Sequence, residues 1–183
     1  KIIGIINLFP NFVTLIVEQK PLIKMKDLTI TSIIKVYTFD ELNKAEQDLM
    51  TSAMEATTRS YAPYSKFSVG AAALLANGIV VTGTNQENAA YPSGLCAERV
   101  ALFYASSHYP GIPVEVLAVT AVTAGKQVER ISPCGGCRQV MKEVENRYKQ
   151  PVRLLLCGRE EILCLESAED LLPLSFGESD LLL

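Results

Sequence analysis

Apolar positions first recur at three- and four-residue steps between Asp40 and about Arg59, where Leu42, Ala45, Leu49, Ala53 and Ala56 fall on one side. That spacing predicts an amphipathic helix with one core face, Asp40 capping its start and Glu41 suiting its first turn. Tyr61-Ala62-Pro63-Tyr64-Ser65 ends it, because proline cannot continue a helix and pushes Ala62 towards extended backbone. The pattern then changes. Phe67 to Leu75 is apolar and rich in small residues, Asn77-Gly78 is a strong hairpin signal, and Ile79-Val80-Val81 resumes a β-branched run, so two antiparallel strands are expected. Thr84 to Asn88 is a dense polar patch directly after the second strand, and on its own reads as a solvated loop.

Tyr91-Pro92-Ser93-Gly94 is a turn, and Cys96 to Ser106 reads as a helix with Val100, Leu102 and Phe103 as apolar cover. Val114 to Val122 is a valine-rich buried strand, followed by a polar segment from Thr123 to Arg130. Ser132-Pro133-Cys134 opens a helix running to about Tyr148, with Val140, Met141 and Val144 on its inner side. Val152 to Cys157 is strand-like, Gly158-Arg159 turns the chain, and Glu161 to Leu165 can pair back with it. Ser167-Ala168-Glu169-Asp170 is a capping pattern before a short helix ending near Pro173. This alternation predicts an α/β fold with helices on both faces of one sheet.

Composition narrows the picture without changing it. A chain of 183 residues with 49% hydrophobic and 20% charged positions is sized for one packed domain. The net charge of −3 and pI near 5.3, with no Lys/Arg cluster, argue against nucleic acid as a partner. In residues 1–24 the apolar run from Val13 to Val17 is bounded by Pro10, Glu18 and Pro21, which is too short to span a membrane and a poor fit to a signal peptide. Met25-Lys26-Asp27 reads like a natural start, so the expected organisation is a non-native or disordered extension over 1–24 and a single domain over 25–183. Five cysteines are an odd number without the spacing of a disulfide framework, and thiols that bind metal need a reducing compartment such as the cytoplasm.

Three of those cysteines carry the chemistry. Cys134-Gly135-Gly136-Cys137 is a C-x-x-C pair at a helix start, where two sulfurs can point the same way and the helix N-terminus favours thiolates. Cys96 supplies a third sulfur from the start of another helix. Three thiolates hold a zinc ion and leave its fourth position open for water, and Glu98, two residues after Cys96, is available to take that water's proton. A redox pair would leave Cys96-Ala97-Glu98 unused, and a structural zinc site would want a fourth ligand. Cys157 and Cys164 lie in apolar strand-like runs and read as buried, inert thiols. Arg99 can donate to a ligand sulfur and offset the negative charge that three thiolates bring to the metal. His108, the only histidine, reads as a surface or C-terminal helix residue and not as a ligand. One difficulty stands: in a regular helix, Cys96 and Glu98 would point to nearly opposite sides.

Cys96-Ala97-Glu98-Arg99, Pro133-Cys134-Gly135-Gly136-Cys137-Arg138-Gln139 and Asn85-Gln86-Glu87-Asn88-Ala89-Ala90-Tyr91 together resemble the signatures of the cytidine deaminase family, in its three-cysteine, homotetrameric class. The resemblance runs from about Asp40 to Leu181 and includes Tyr61 to Ala71 and Leu171 to Gly177. It implies a three-layer α/β/α sandwich with a mixed, mainly five-stranded sheet. It also implies that Asn85 and Glu87 bind the ribose hydroxyls, that Phe67 packs against the nucleoside, and that backbone around Ala97 contacts the base. Phe176 matches a C-terminal phenylalanine that reaches a neighbouring subunit's base. The implied reaction is hydrolytic deamination of cytidine and deoxycytidine, with zinc on Cys96, Cys134 and Cys137 and with Glu98 moving protons to N3 and the departing amine. Two rivals remain open from the residues: a zinc deaminase of a modified cytosine nucleoside such as an aminoglycosyl-cytosine antibiotic, and a non-catalytic zinc-binding module.

Overall fold

The computed structural model describes residues 26–181, so the expectation about residues 1–24 lies outside the described residues. Strands β1 (Lys35–Tyr37), β2 (Phe67–Leu75), β3 (Val80–Thr84), β4 (Val114–Thr123), β5 (Lys126–Gln127), β6 (Arg153–Cys157) and β7 (Ile162–Leu165) form one mixed sheet in the order β1-β7-β6-β4-β2-β3, with β5 paired to β4. Five of these are the strands the periodicity predicts. The sheet reaches seven because three-residue β1 pairs with β7 and two-residue β5 folds back on β4, both too short to leave a hydropathy pattern.

Helices α1 (Lys44–Ala56), α2 (Ala97–His108), α3 (Gly135–Tyr148) and the single-turn α4 (Glu178–Leu181) complete the chain. The strand period of two splits the core. Ala72, Ala118, Leu155, Cys157 and Cys164 face α1, packing with Leu49, Met50 and Ala53. Ala71, Ala73, Leu117, Val119, Leu154 and Leu156 face the other way, onto Ala101 and Leu102 of α2 and Met141 and Val144 of α3. The expected three-layer α/β/α sandwich is therefore present.

Helix boundaries differ from expectation where local side-chain bonds compete. α1 starts at Lys44 instead of Asp40, because Asn43 accepts from the Glu46 N–H at 3.0 Å and Glu46 reaches back to the Asn43 N–H at 3.3 Å. Leu42 is extended there, so Phe39–Glu41 remains a separate 3-10 turn. α2 runs on through His108, whose ring stacks on Tyr104 with centroids 3.8 Å apart. The capping pattern at Ser167 holds, since its hydroxyl accepts from the Glu169 N–H, but the segment it starts is a 3-10 turn over Ala168–Leu171.

Topology then sets where the helices begin. β3 and β4 both run antiparallel to β2, so they are parallel to each other, and the chain leaves both at the same end of the sheet. α2 follows β3 and α3 follows the β4–β5 hairpin, so their N-termini meet beyond the carboxyl ends of these strands, where open α/β sheets place their ligands. Gly83 brings α2 down onto β3: a Cβ there would stand 2.3 Å from the Ala97 carbonyl oxygen and 2.5 Å from the Ala101 nitrogen.

Candidate metal centre and nucleoside pocket

Both α2 and α3 open on a cysteine in non-helical backbone. Cys96 is the N-cap of α2 (φ −76°, ψ 154°) and Cys134 the N-cap of α3 (φ −67°, ψ 164°). An N-cap side chain curls over the end of its helix towards the third helical residue, which brings the Cys134 sulfur to that of Cys137. The two sulfurs are 3.5 Å apart, and Cys96 Sγ lies 3.7 Å from Cys134 Sγ. All three fall within 4.8 Å of one another. Tetrahedral zinc with bonds of about 2.3 Å spaces its sulfurs by roughly 3.8 Å, so this donor set fits the ion by chemistry and by spacing. The cap geometry also removes the difficulty over Cys96 and Glu98. Cys96 precedes the helix, so the opposition expected within a regular helix does not apply.

Glu98 is 4% exposed, and burial raises its carboxyl above the ordinary value, with the charge on Cys96 acting in the same direction. A carboxyl so placed holds and releases protons closer to neutrality than a surface glutamate does. Arg99 Nη2 donates to Cys96 Sγ at 3.6 Å. The Cys96 thiol is drawn down to about 5, by hydrogen bonding from Cys137 first and by Arg99 as well, while Cys137 is pushed up as the proton-holding partner. Cys157 and Cys164 are buried in the opposite core layer, beside α1, and burial pushes their thiols up to about 12 and about 11.

The polar patch after β3 is tied to the neighbouring loop. Asn85 Oδ1 accepts from the Val69 N–H and its Nδ2 donates to the Phe67 carbonyl, both at 2.8 Å, so it extends the edge of β2 and keeps one N–H and one lone pair free. Glu87 Oε2 accepts from the N–H groups of Tyr64 at 2.9 Å and Ser65 at 3.2 Å. Its carboxyl is held below the ordinary value, chiefly by its hydrogen bond with the Ser65 side chain. Backbone pairing of Tyr61 with Asn85 and Glu87, and of Gln86 with Leu95, joins the Tyr61–Ser65 loop to the entry of α2. Phe67, half-buried, opens β2 at this end, and Ala97, fully buried, opens α2. Phe176 is 59% exposed on the segment after the last 3-10 turn, its carbonyl accepting from Gln139 of α3. Sequence reasoning did not anticipate the amides that bind Glu87, nor a role for Arg138 and Gln139, although both residues lie inside a quoted motif.

Residues 43–150 match the family model for the cytidine and deoxycytidylate deaminase zinc-binding region. A cytidine deaminase of Sporosarcina psychrophila is 42% identical over 137 residues, covering 74% of this chain and 93% of its own. One from Mycobacterium tuberculosis strain H37Rv is 40% identical over 136 residues, covering 73% and 90%. The crystal structure of cytidine deaminase from Burkholderia pseudomallei superposes with a TM-score of 0.60 at 40% identity, covering 70% of this chain and 97% of that one.

Proposed function

This chain belongs to the cytidine and deoxycytidylate deaminase family, and from that premise we propose that it hydrolyses the 4-amino group of cytidine and deoxycytidine, releasing uridine or deoxyuridine and ammonia. The observation that carries the reading is the meeting of three cysteine sulfurs, 3.5 and 3.7 Å apart, at two helix N-termini beside a buried glutamate.

Cys96, Cys134 and Cys137 would hold zinc, which when bound supplies a water acidic enough to add to C4 of the base near neutral pH. Glu98 would accept one proton from the attacking water and give it to N3, and as the C4–N4 bond breaks would carry the remaining proton of the new C4 hydroxyl to the leaving amine, which departs as ammonia. Its raised proton affinity suits both transfers. Arg99 keeps charge on Cys96 from building up against the site. The free N–H and lone pair of Asn85 and the unbonded oxygen of Glu87 would hold the ribose hydroxyls, with Phe67 packed against the nucleoside and the backbone at Ala97 against the base. Glu87, ionised at neutral pH, disfavours a phosphorylated sugar.

The same reading makes the chain a homotetramer in which Phe176 closes a neighbour's pocket. Its support is exposed aromatic surface: Tyr91, Phe103, Tyr104 and Phe176 are each at least 45% exposed. The five free thiols suit a cytoplasmic enzyme of pyrimidine salvage, with residues 25–183 as the domain and 1–24 as an extension outside it. No helix among the described residues is long and apolar enough to cross a membrane.

Purified protein is expected to contain one zinc per chain and to lower the long-wavelength ultraviolet absorbance of cytidine as it is converted to uridine. Zinc at that ratio with an unchanged cytidine spectrum would refute the activity.

A further inference from the structure

The C-terminal segment bearing Phe176 is held by hydrogen bonds more than by burial. Leu174 is 84% exposed, and a cavity of about 450 Å³ is lined by Gln139 and Asn146 of α3 together with Phe176, Gly177 and Leu181 of the segment. Leu174 takes a left-handed φ of 55°, a strained conformation for a branched residue that bends the chain just before Phe176. What fixes this bend comes from the two residues that follow Cys137. Arg138 Nε donates to the Pro133 carbonyl at 2.9 Å and its Nη1 to the Leu171 carbonyl at 3.0 Å. Gln139 Nε2 donates to the Phe176 carbonyl at 2.8 Å.

Pro133 immediately precedes the metal ligand Cys134, so Arg138 grips the metal loop with one nitrogen and the start of the C-terminal segment with another. A planar guanidinium can serve two carbonyls at once from a fixed fork, which a single ammonium on a flexible stem does poorly. Gln139 then secures the far end. We propose that Arg138 and Gln139 are positioning residues that make one rigid unit of the metal loop and the C-terminal segment. The first turn of α3 then sets Cys134 in its own site and Phe176 for the neighbour's base pocket. The second half of this proposal rests on the shared-pocket reading of Phe176.

Gln139→Glu keeps the side chain's size but turns an oxygen towards the Phe176 carbonyl in place of a donor. It should raise KM for cytidine about three- to tenfold, the effect of one hydrogen bond, with kcat and zinc content unchanged. If Gln139 acts through Phe176, the double variant with Phe176→Ala has a KM no higher than Phe176→Ala alone. Arg138→Lys should lose zinc to a chromogenic chelator several-fold faster than the parent protein. A wild-type KM in Gln139→Glu, or additive effects in the double variant, overturns the coupling even where Phe176→Ala raises KM. A wild-type KM in Phe176→Ala refutes the shared pocket and this half of the proposal with it. Chelation at the parent rate in Arg138→Lys overturns the grip on the metal loop.

Discussion

At the scale of single residues, the site depends on where two helices start. A cysteine inside a helix would aim its sulfur along the helix wall; as N-caps, Cys96 and Cys134 aim theirs across the gap between two helix ends. Glu98, just inside α2, is buried, and burial raises its carboxyl above the ordinary value, which suits the proton transfers proposed for it. Glu98→Gln preserves shape and should leave zinc content intact. Turnover should fall by at least the roughly 10²- to 10⁴-fold that one acid–base group contributes, measured by steady-state loss of cytidine absorbance. Turnover within a few-fold of the parent would remove Glu98 from the mechanism.

At the scale of elements, close backbone packing places α2. Because a methyl group at Gly83 would collide with the backbone of Ala97 and Ala101, Gly83→Ala must push the start of α2, and Cys96 with it, off the sheet. The expected result is a loss of about 1–3 kcal/mol in denaturant unfolding together with weaker zinc retention in equilibrium dialysis. At the far edge of the sheet, Glu166 pairs with Lys35 of β1 at 2.9 Å and with Arg153 of β6 at 2.7 Å. The hydrogen bond from Lys35, followed by that from Arg153, holds the Glu166 carboxyl below its ordinary 4.5. A carboxyl whose folded value is lowered stabilises the fold above its unfolded value and loses that contribution as pH falls through the folded one. Glu166→Gln should therefore melt no more than a few degrees below the parent at neutral pH, as suits a solvent-screened pair. The gap should close as pH drops below about 4.5 in calorimetric scans. A gap that is constant with pH would show that the carboxylate's charge is not what matters.

At the scale of the molecule, the chain gathers three cysteine sulfurs that could hold a metal ion but leaves Phe176 exposed. If a second subunit receives that ring, specific activity should fall on dilution in step with loss of the tetramer, followed together by enzyme assay and sedimentation velocity. Activity per subunit that stays constant through dissociation to monomers would show that one chain holds the whole pocket.

Much of this could be read from the sequence, because it depends on patterns within a few residues. The period of Leu49, Ala53 and Ala56 marks α1, the alternation after Phe67 and the Asn77-Gly78 turn mark the first hairpin, and the spacing of Cys134 and Cys137 with Cys96-Ala97-Glu98 marks a three-thiolate site. Only the tertiary structure decided the rest, because it depends on contacts between segments far apart in the chain. β1 and β5 are strands because β7 and β4 offer them edges, not because three or two residues carry a signal. Asn85, solvated loop on the bland reading, is instead bonded into the edge of β2 through contacts to Phe67 and Val69. The sulfurs of Cys96 and Cys134 meet because parallel β3 and β4 deliver two helix ends to one place, a result of strand order that no local pattern encodes.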